Sequence, residues 1–279
     1  MTTLHGKTVL LTGASGAIGS LAALRLAAAG AQLALVGRRR GELETVAAEA
    51  TAVGAPPPVV LQADLSRAGA AADLAQRAEA ALGGVDVLVN NAGGSLQGLS
   101  WVVGDHPEAR AVLETNLWAP LALAQALAPG MVARGDGVIV NVGSMARVSP
   151  FPHLGHYAAS RAALSVATDV MRLELRPRGV RVVEVAFGAI DTPASQENRS
   201  LAGAGAWLDG RPGLGRPEDA AQALADAVTS DADIVFHPAV LRWPARFPSL
   251  GRRYTRRVAK GADLADETVR VGGVPQAGR

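Results

Sequence analysis

Tyr157 precedes Arg161 by four residues within the stretch HYAASRAAL, for which we predict a helix. Side chains four residues apart lie on the same face of a helix, so the phenol and the guanidinium can point into one space. A phenol beside a fixed positive charge can exchange a proton, because the cation stabilises the phenolate. The alternative is a phenol packed beside a surface charge, and the rest of the chain has to decide between the two.

A glycine-rich segment, TGASGAIG at residues 12–19, follows the first predicted strand and opens the first predicted helix. Glycines in such a turn let the backbone approach a pyrophosphate, and the N-terminus of the helix attracts anions. The spacing G-x-x-x-G-x-G differs from the G-x-G-x-x-G pattern of many dinucleotide sites. We interpret the segment as a nucleotide-binding turn. The alternative is a turn whose glycines only let helix and strand pack closely.

The second predicted strand ends in LVGRRR, which puts Arg38, Arg39 and Arg40 directly after it. An acid at this point would bind the ribose 2′-hydroxyl of a dinucleotide, whereas an arginine accommodates a 2′-phosphate. No acid is present, so the sequence favours NADP(H) over NAD(H). Because nearly all basic residues of the chain are arginines, a solvated basic turn is the alternative.

The elements that must position these residues alternate between short hydrophobic strands and Ala/Leu-rich helices as far as about residue 237. This alternation predicts βαβ units, and near-continuous hydrophobic strands are typical of a parallel sheet covered on both faces. The predicted fold class is α/β, a Rossmann-like doubly wound parallel sheet in three αβα layers and a single domain. We place the domain at residues 1–240, including a substrate loop at about 192–216. A basic C-terminal extension follows at 241–279, and its tail from about 264 is expected to be loose.

The element boundaries follow from the same pattern. The predicted strands are 7–12, 32–36, 59–62, 85–89, 137–142 and 180–186, and the predicted helices are 17–29, 41–53, 67–82, 116–134 and 155–177, with a further helix opening at 216–219.

Composition excludes several kinds of site. Cysteine is absent, so disulfides, thiolate nucleophiles and cysteine-based metal sites are ruled out. The formal net charge of +2 is too small to indicate a nucleic-acid partner. The sequence contains no run of about 18 apolar residues, which is the length that a helix needs to span a bilayer. The segment MTTLHGKTVLLTG lacks the pattern of a signal peptide. We therefore expect a cytoplasmic protein, and the spacing of His, Asp and Glu indicates no metal site.

Over about residues 5–237, the chain resembles the classical short-chain dehydrogenases/reductases. Besides the glycine turn, the matching residues include Asp64-Leu65 after the third strand and NNAG at 90–93 after the fourth. Asn116 lies on a central helix, Ser144 follows the fifth strand, and Tyr157 comes thirteen residues after that serine.

The motif that normally has the form PGxIxT after the sixth strand is FGAIDT at 187–192 here, with Phe187 in place of proline. For NADP(H) binding the resemblance implies residues from the glycine turn, the strand ends, the catalytic helix and this motif. They are Gly13, Ser15, Gly16, Ile18, Gly19, Arg38, Arg39, Asp64, Leu65, Asn91, Ala92, Gly93, Tyr157, Arg161, Gly188, Ile190 and Thr192.

The catalytic residues that the resemblance implies are Asn116, Ser144, Tyr157 and Arg161. Tyr157 would be the general acid/base, Ser144 would hydrogen-bond the substrate oxygen, and Asn116 would hold a water that links the site to solvent. The family has lysine where this chain has Arg161. A guanidinium supplies charge and bonds a nicotinamide ribose, but it does not release a proton near neutral pH, so a relay through this residue is broken or rerouted.

Three functions remain open on these residues. The first is an NADP(H)-dependent oxidoreductase that reduces a carbonyl or oxidises an alcohol of a small, hydrophobic molecule. The second is an enzyme of this fold that performs non-redox acid/base chemistry such as cyclisation, dehydration or isomerisation. The third is a catalytically impaired NADP(H)-binding protein, since fold alone does not fix function.

The substrate pocket is expected to be mostly apolar. Its walls would come from residues 94–97, 145–151, 187–188 and the 192–216 segment with Trp207. Arg147 could meet an anionic substrate, but we favour a surface position for it. We expect His153 and His156 to be hydrogen-bonded structural residues. Family resemblance also implies a homodimer or homotetramer, with the helices of Asn116 and Tyr157 at an interface.

The segment LRWPARFPSLGRRYTRRVAK at 241–260 is basic and contains no acid. Trp243, Phe247, Leu250 and Tyr254 are spaced so that one face could be apolar and the other cationic, which would suit an anionic membrane surface. Because Pro244 and Pro248 interrupt any long helix, packing against the domain or a neighbouring subunit is the interpretation that we favour.

Overall fold

Seven parallel strands form the central sheet of the protein. The computed structural model describes residues 4–193, 195–196, 214–262, 264–271 and 274–275, with residues 250, 254, 258, 261, 274 and 275 described by their backbone alone. The strands are β1 (Thr8–Thr12), β2 (Gln32–Gly37), β3 (Val59–Gln62), β4 (Val87–Asn90), β5 (Leu96–Gln97), β6 (Gly137–Ser144), β7 (Val180–Phe187), β8 (Ile234–His237), β9 (Arg270–Val271) and β10 (Val274–Pro275). Seven of these strands form the central sheet, in the order β3-β2-β1-β4-β6-β7-β8. Strands β5, β9 and β10 lie outside it.

Helices cover both faces of this sheet. They are α1 (Ala17–Ala28), α2 (Arg40–Ala52), α3 (Ala70–Leu82), α4 (Ser100–Val103), α5 (Pro107–Leu113), α6 (Ala119–Arg134), α7 (Gly155–Leu175), α8 (Pro217–Ala227), α9 (Arg242–Arg246) and α10 (Pro248–Val258). On β1, Val9 and Leu11 pack into the core beneath α1, α2 and α8, whereas Leu10 packs into the core beneath α3 and α6. Alternate residues of one strand therefore enter two cores, which confirms the predicted doubly wound α/β fold in a single domain.

Two local features shift the predicted helix boundaries. Helix α3 begins at Ala70, three residues later than predicted, because Gly69 before it adopts a left-handed conformation with a φ of 83°. The predicted helix over 116–134 is divided into a π-helical turn at Glu114–Trp118 and the regular α6. π-helical turns of this kind often occur at functional sites.

A second, three-stranded sheet forms where no regular structure was predicted. Strand β9 pairs antiparallel with both β5 and β10, so Arg270–Val271 returns to Leu96–Gln97. Val269 and Val271 pack on the small core of Leu96 and Val103. The expectation of a loose tail from residue 264 is therefore wrong for its described residues, because these apolar side chains anchor it.

Among the described residues, no helix is long and apolar enough to cross a membrane. The described residues also contain no group of three or more His, Asp or Glu side chains placed to hold a metal ion. Trp207 and most of the predicted substrate loop lie outside the described residues. The domain boundary at residue 240 and the cytoplasmic location stay predictions.

Candidate active site

One cavity of about 950 Å³ opens at the carboxyl ends of β1, β4, β6 and β7. In an open parallel sheet, ligands bind in the crevice beyond these strand ends. Every residue predicted to bind the cofactor lines this cavity, as do Ser144, Tyr157 and Arg161. Asn116 is the one predicted site residue that lies behind the cavity wall.

The glycine turn packs against the residues that directly follow strand β4. Gly13 has a φ of 69°, and a Cβ added there would lie 2.9 Å from the Cα of Ala92. A Cβ on Gly19 would lie 2.1 Å from the carbonyl oxygen of Gly13. The Asn91 side chain donates hydrogen bonds to the carbonyls of Thr12 and Gly13, at 3.0 and 3.2 Å. The turn therefore requires small residues and exposes the start of α1 to the cavity, which suits a pyrophosphate.

Arg38 and Arg39 line the far end of the cavity, beyond the glycine turn. Arg39 forms an ion pair of 2.6 Å with Glu42, and Arg40, outside the cavity lining, forms one of 2.7 Å with Glu44. Arg38 is exposed and forms no ion pair with any residue that the structure describes. Of the three arginines, Arg38 is therefore the one that lines the cavity without an ion pair to a described residue, although its charge also acts on Asp64.

Asp64 lies on the same side of the cavity. Burial opposes ionisation of its carboxyl. Hydrogen bonds from the Ser66 hydroxyl at 2.8 Å and the Ser66 amide at 3.2 Å, together with the charges of Arg38 and Arg67, outweigh burial and lower the pKa of Asp64. The carboxylate is therefore a fixed acceptor in the wall of the cavity.

Arg161 is almost completely buried beside Tyr157. Its Nη1 donates a hydrogen bond of 2.8 Å to the carbonyl oxygen of Val142, and its Cζ lies 5.6 Å from the centroid of the Tyr157 ring. A Cβ added to Gly93 would lie 2.1 Å from Nη2, so a larger residue at this position would require the guanidinium to shift. The predicted face shared by phenol and guanidinium is present, and strand β6 fixes the cation from behind.

Asn116 is fully buried in the π-helical turn, and its side chain is occupied by protein groups. Its Oδ1 accepts from the amide of Gly94 at 2.8 Å, and its Nδ2 donates to the Gly94 carbonyl and the Ser160 hydroxyl, both at 2.9 Å. These bonds join α7 to the segment after β4. The side chain of Asn116 therefore braces the site.

Ser144 is the last residue of β6, and its hydroxyl oxygen accepts a hydrogen bond of 3.1 Å from the amide of Ala146. The hydroxyl proton stays available to point into the cavity. A hydroxyl so placed can donate a hydrogen bond to a substrate oxygen.

A largely buried ion pair between Arg147 and Glu184 is a feature that the sequence analysis missed. Glu184 of β7 is buried, accepts a hydrogen bond of 2.9 Å from the Ser165 hydroxyl, and has its Oε1 3.5 Å from Nε of Arg147. A Cβ on Gly143 would lie 2.2 Å from the same carboxylate oxygen. The expectation that Arg147 lies at the surface is wrong, because its side chain turns inward to this carboxylate. The signal was the single acid within the hydrophobic strand sequence VRVVEVAF.

Replacing Glu184 by Gln is expected to change how stability depends on pH. Burial raises the pKa of Glu184, and the charge of Arg147 and the Ser165 hydroxyl oppose this rise only in part. The folded state therefore binds more protons than the unfolded chain, and this contribution to stability is lost as pH rises above the ordinary value of 4.5. Relative to wild type, Glu184→Gln should gain stability as pH increases from that value towards neutrality.

Urea unfolding followed by tryptophan fluorescence at several pH values measures this difference. Glu174→Gln, which makes the same change at an exposed position of α7, is the matched control against which the Glu184→Gln difference is compared. A Glu184→Gln difference that is independent of pH would contradict the assignment.

The walls of the substrate side are largely as predicted. Met145, Phe151 and Phe187 line the cavity, and Gly94 and Ser95 contribute polar backbone beside them. His156 contacts the Gly104 carbonyl through Nε2 at 2.8 Å, and the carbonyl of the buried His153 accepts from the amide of Gly98. Both contacts fit structural roles for the two histidines.

Comparison with known proteins agrees with this architecture. Residues 7–202 match the short chain dehydrogenase family. A fatty acyl-CoA reductase of Mycobacterium tuberculosis is 34% identical over 241 residues, which cover 85% of this chain and 79% of that protein.

Solved structures give the same result. A metagenomic short-chain oxidoreductase in complex with NADP is 32% identical, with a TM-score of 0.69 and coverage of 84% of this chain and 96% of that one. A 3-oxoacyl (acyl-carrier-protein) reductase of Agrobacterium tumefaciens with NADP bound is 30% identical, with a TM-score of 0.75 and coverage of 84% and 93%. The fold, the cavity and these relatives together identify the chain as a member of the short chain dehydrogenase family.

Proposed function

We propose that this protein is an NADP(H)-dependent oxidoreductase that interconverts a carbonyl and an alcohol on a small, apolar molecule. The observation that carries the proposal is the convergence of Ser144, Tyr157 and buried Arg161 on one end of a cavity. The glycine turn and Arg38 line the other end of the same cavity. A dinucleotide binds with its pyrophosphate at such a glycine turn and extends across the crevice beyond the strand ends.

Tyr157 gives a proton to the substrate oxygen in the reductive direction. When bound, the nicotinamide supplies the hydride, and the protein provides position and charge. The guanidinium of Arg161 stabilises the phenolate that remains, and its bond to the Val142 carbonyl keeps the charge in place. The Ser144 hydroxyl donates to the substrate oxygen and polarises it.

Because Arg161 does not release a proton, the phenolate is reprotonated from water rather than through this side chain. Its Nε is buried and makes no hydrogen bond to the described residues. Arg161 also lines the cavity, so the guanidinium N–H groups not engaged by Val142 can donate to a nicotinamide ribose. The role fits a fixed cation and not a proton carrier.

Arg38 supports NADP(H) over NAD(H), as do the two NADP-bound relatives. We expect Arg38→Ala to raise the KM for NADPH by about 10- to 100-fold, because a hydrogen bond to a charged group is worth about 1.5–3 kcal/mol. The KM for NADH should change little. Initial rates with both cofactors measure the effect.

The matched control is Arg40→Ala, since Arg40 lies outside the cavity lining and is paired with Glu44. Equal losses for the Arg38 and Arg40 variants, or equal losses with NADH and NADPH, would argue against a 2′-phosphate site at Arg38.

We infer the substrate class from the residues that line the substrate side of the cavity. Met145, Phe151 and Phe187 are apolar and adjoin the Ser144 end of the cavity. A carbonyl attached to an extended or ring-shaped hydrocarbon fits these walls. The relative named as a fatty acyl-CoA reductase supports the same class.

A homodimer or homotetramer is part of the proposal. Helix α7 exposes Val166, Val170 and Leu173, with Leu173 78% exposed, and Trp118 at the end of the π-helical turn is 56% exposed. The three α7 residues recur at helical spacing, so they form one exposed apolar stripe on the helix that carries Tyr157 and Arg161. Such a stripe fits a contact between copies.

A second candidate is non-redox acid/base chemistry, which the fixed guanidinium of Arg161 favours because it interrupts a lysine-type relay. Both candidate functions are tested by incubating the protein with NADPH and a panel of apolar ketones and aldehydes. Absorbance measures the oxidation of NADPH, and mass spectrometry measures the conversion of the substrate. One NADPH oxidised per alcohol formed supports the oxidoreductase. Substrate conversion without cofactor oxidation would support the second candidate, and tight NADPH binding without turnover would contradict both.

A further inference from the structure

Helix α10 packs on the substrate side of the cavity through one face. A Cβ on Gly251 would lie 3.1 Å from the Ser149 hydroxyl and 3.5 Å from the Val148 carbonyl, so α10 lies directly against this segment. Thr255, one turn later, is buried and bonds the Gly251 carbonyl at 3.1 Å. The favoured interpretation of the extension, packing against the domain, therefore holds for this face.

The other face of α10 has a concentrated positive charge. Arg252, Arg253, Arg256 and Arg257 are all exposed, and they form two like-charged pairs at a spacing of four residues. Like charges at this spacing destabilise a helix. None of the four makes an ion pair with any part of the chain that the structure describes. A counter-charge from outside the described chain would relieve this repulsion.

Large apolar side chains are exposed beside this charge. Trp243 is 56% exposed, Phe247 48% and Val240 60%, all within a few residues of the start of α10. The guanidinium of Arg242 lies 5.3 Å from the Trp243 ring, so cation and aromatic ring are presented together. Amphipathic aromatic rings and arginines are enriched where proteins meet the boundary of a bilayer.

This surface adjoins the mouth of the cavity. Leu241, which directly precedes α9, packs against Gly188: a Cβ added to Gly188 would lie 2.5 Å from Cδ1 of Leu241. Ser149 contacts Gly251 of α10. Gly188 and Ser149 both line the cavity. An apolar molecule leaving a lipid surface here would reach the site without crossing open water.

We propose that Val240–Lys260, which we call the basic surface, docks on a membrane surface rich in anionic phospholipid. The segment contains seven basic residues and no acid, so charge complementarity selects an anionic partner. Two copies of this chain would repel each other through the same surface. The exposed Trp243 and Phe247 favour lipid over a polyanion such as nucleic acid, because lipid offers apolar depth as well as charge. The inference does not depend on the proposed reaction.

Co-sedimentation of the full chain with vesicles tests the proposal. Vesicles of phosphatidylcholine are compared with vesicles containing about 30% phosphatidylglycerol, at low and high salt, because surface attraction is screened by ions. Wild type should bind the anionic vesicles, bind the neutral vesicles weakly, and dissociate at high salt. Arg252→Glu/Arg256→Glu should lower the bound fraction at least about five-fold, since each cation adds to the attraction.

The matched control is Arg110→Glu/Arg178→Glu, which makes the same charge change at exposed positions elsewhere and should bind like wild type. Trp243→Ser/Phe247→Ser should reduce binding while leaving net charge unchanged. Unfolding midpoints of all variants establish that they are folded. Wild type remaining in solution with anionic vesicles, equal loss in the two charge variants, or binding to duplex DNA in preference to vesicles would overturn the proposal.

Discussion

Replacing Tyr157 by Phe is expected to lower kcat for carbonyl reduction by about 10²- to 10⁴-fold, the range typical of a lost general acid. The substitution removes one oxygen and keeps the ring that lies beside the Arg161 guanidinium. NADPH affinity should therefore change little, because the glycine turn and Arg38 are untouched. Steady-state rates with the best ketone of the panel, and NADPH titration by fluorescence, separate the two effects.

The chain supplies a matched control, since it contains only two tyrosines. Tyr254→Phe, in α10, removes the same oxygen outside the catalytic helix and should leave kcat within about two-fold, a change of well under 1.36 kcal/mol in the barrier. Turnover of Tyr157→Phe at the wild-type rate would remove the phenol from the mechanism. Equal losses in both variants would indicate a general effect of tyrosine replacement on folding.

The fold could be predicted because its information is local. Six of the seven strands of the main sheet are predicted as hydrophobic runs between helices, β3 at its observed boundaries and β2 and β7 to within one residue. The edge strand β8 is not among the predicted strands. The residues that line the cavity follow from the same reasoning, because parallel strands bring their carboxyl ends to one edge. The topology of the sheet therefore determines where the glycine turn, Ser144 and Tyr157 lie, namely at the carboxyl-terminal edge of the sheet.

The remaining features depend on contacts between distant segments, for which periodicity gives no signal. Strand β9 pairs with β5 across more than 170 positions through two residues each, and neither is long enough to show alternation. The pairing of Arg147 with Glu184 requires a side chain after β6 to turn beneath β7. For Asn116, sequence locates the residue but not the three hydrogen bonds that occupy its side chain.

Arg161 is the residue where sequence and structure together make the sharpest prediction. Sequence identifies an arginine in a position where the family has lysine. The structure adds that its Nη1 is bonded to the Val142 carbonyl and that Gly93 leaves space for its Nη2. The cation is therefore held by one backbone carbonyl of β6, with its Cζ 5.6 Å from the centroid of the Tyr157 ring.

Arg161→Met should lower kcat by about 10- to 100-fold, because losing a charged hydrogen-bonding group costs about 1.5–3 kcal/mol and each 1.36 kcal/mol is tenfold in rate. Arg161→Lys keeps the charge and should stay within about ten-fold of wild type. Both are measured as kcat and KM with NADPH and the same ketone.

Arg172 provides a matched control on the same helix. It is also buried, and its Nε donates a hydrogen bond of 2.8 Å to the Val182 carbonyl, but it is paired with Asp169 away from the cavity. Arg172→Met should lower the unfolding midpoint without lowering the kcat of the folded enzyme, whereas Arg161→Met should lower kcat. If both variants lose only stability, Arg161 is a structural residue. If Arg161→Lys instead gains a large rate over wild type, the native arginine restrains proton transfer, and the non-redox candidate becomes the better description of the site.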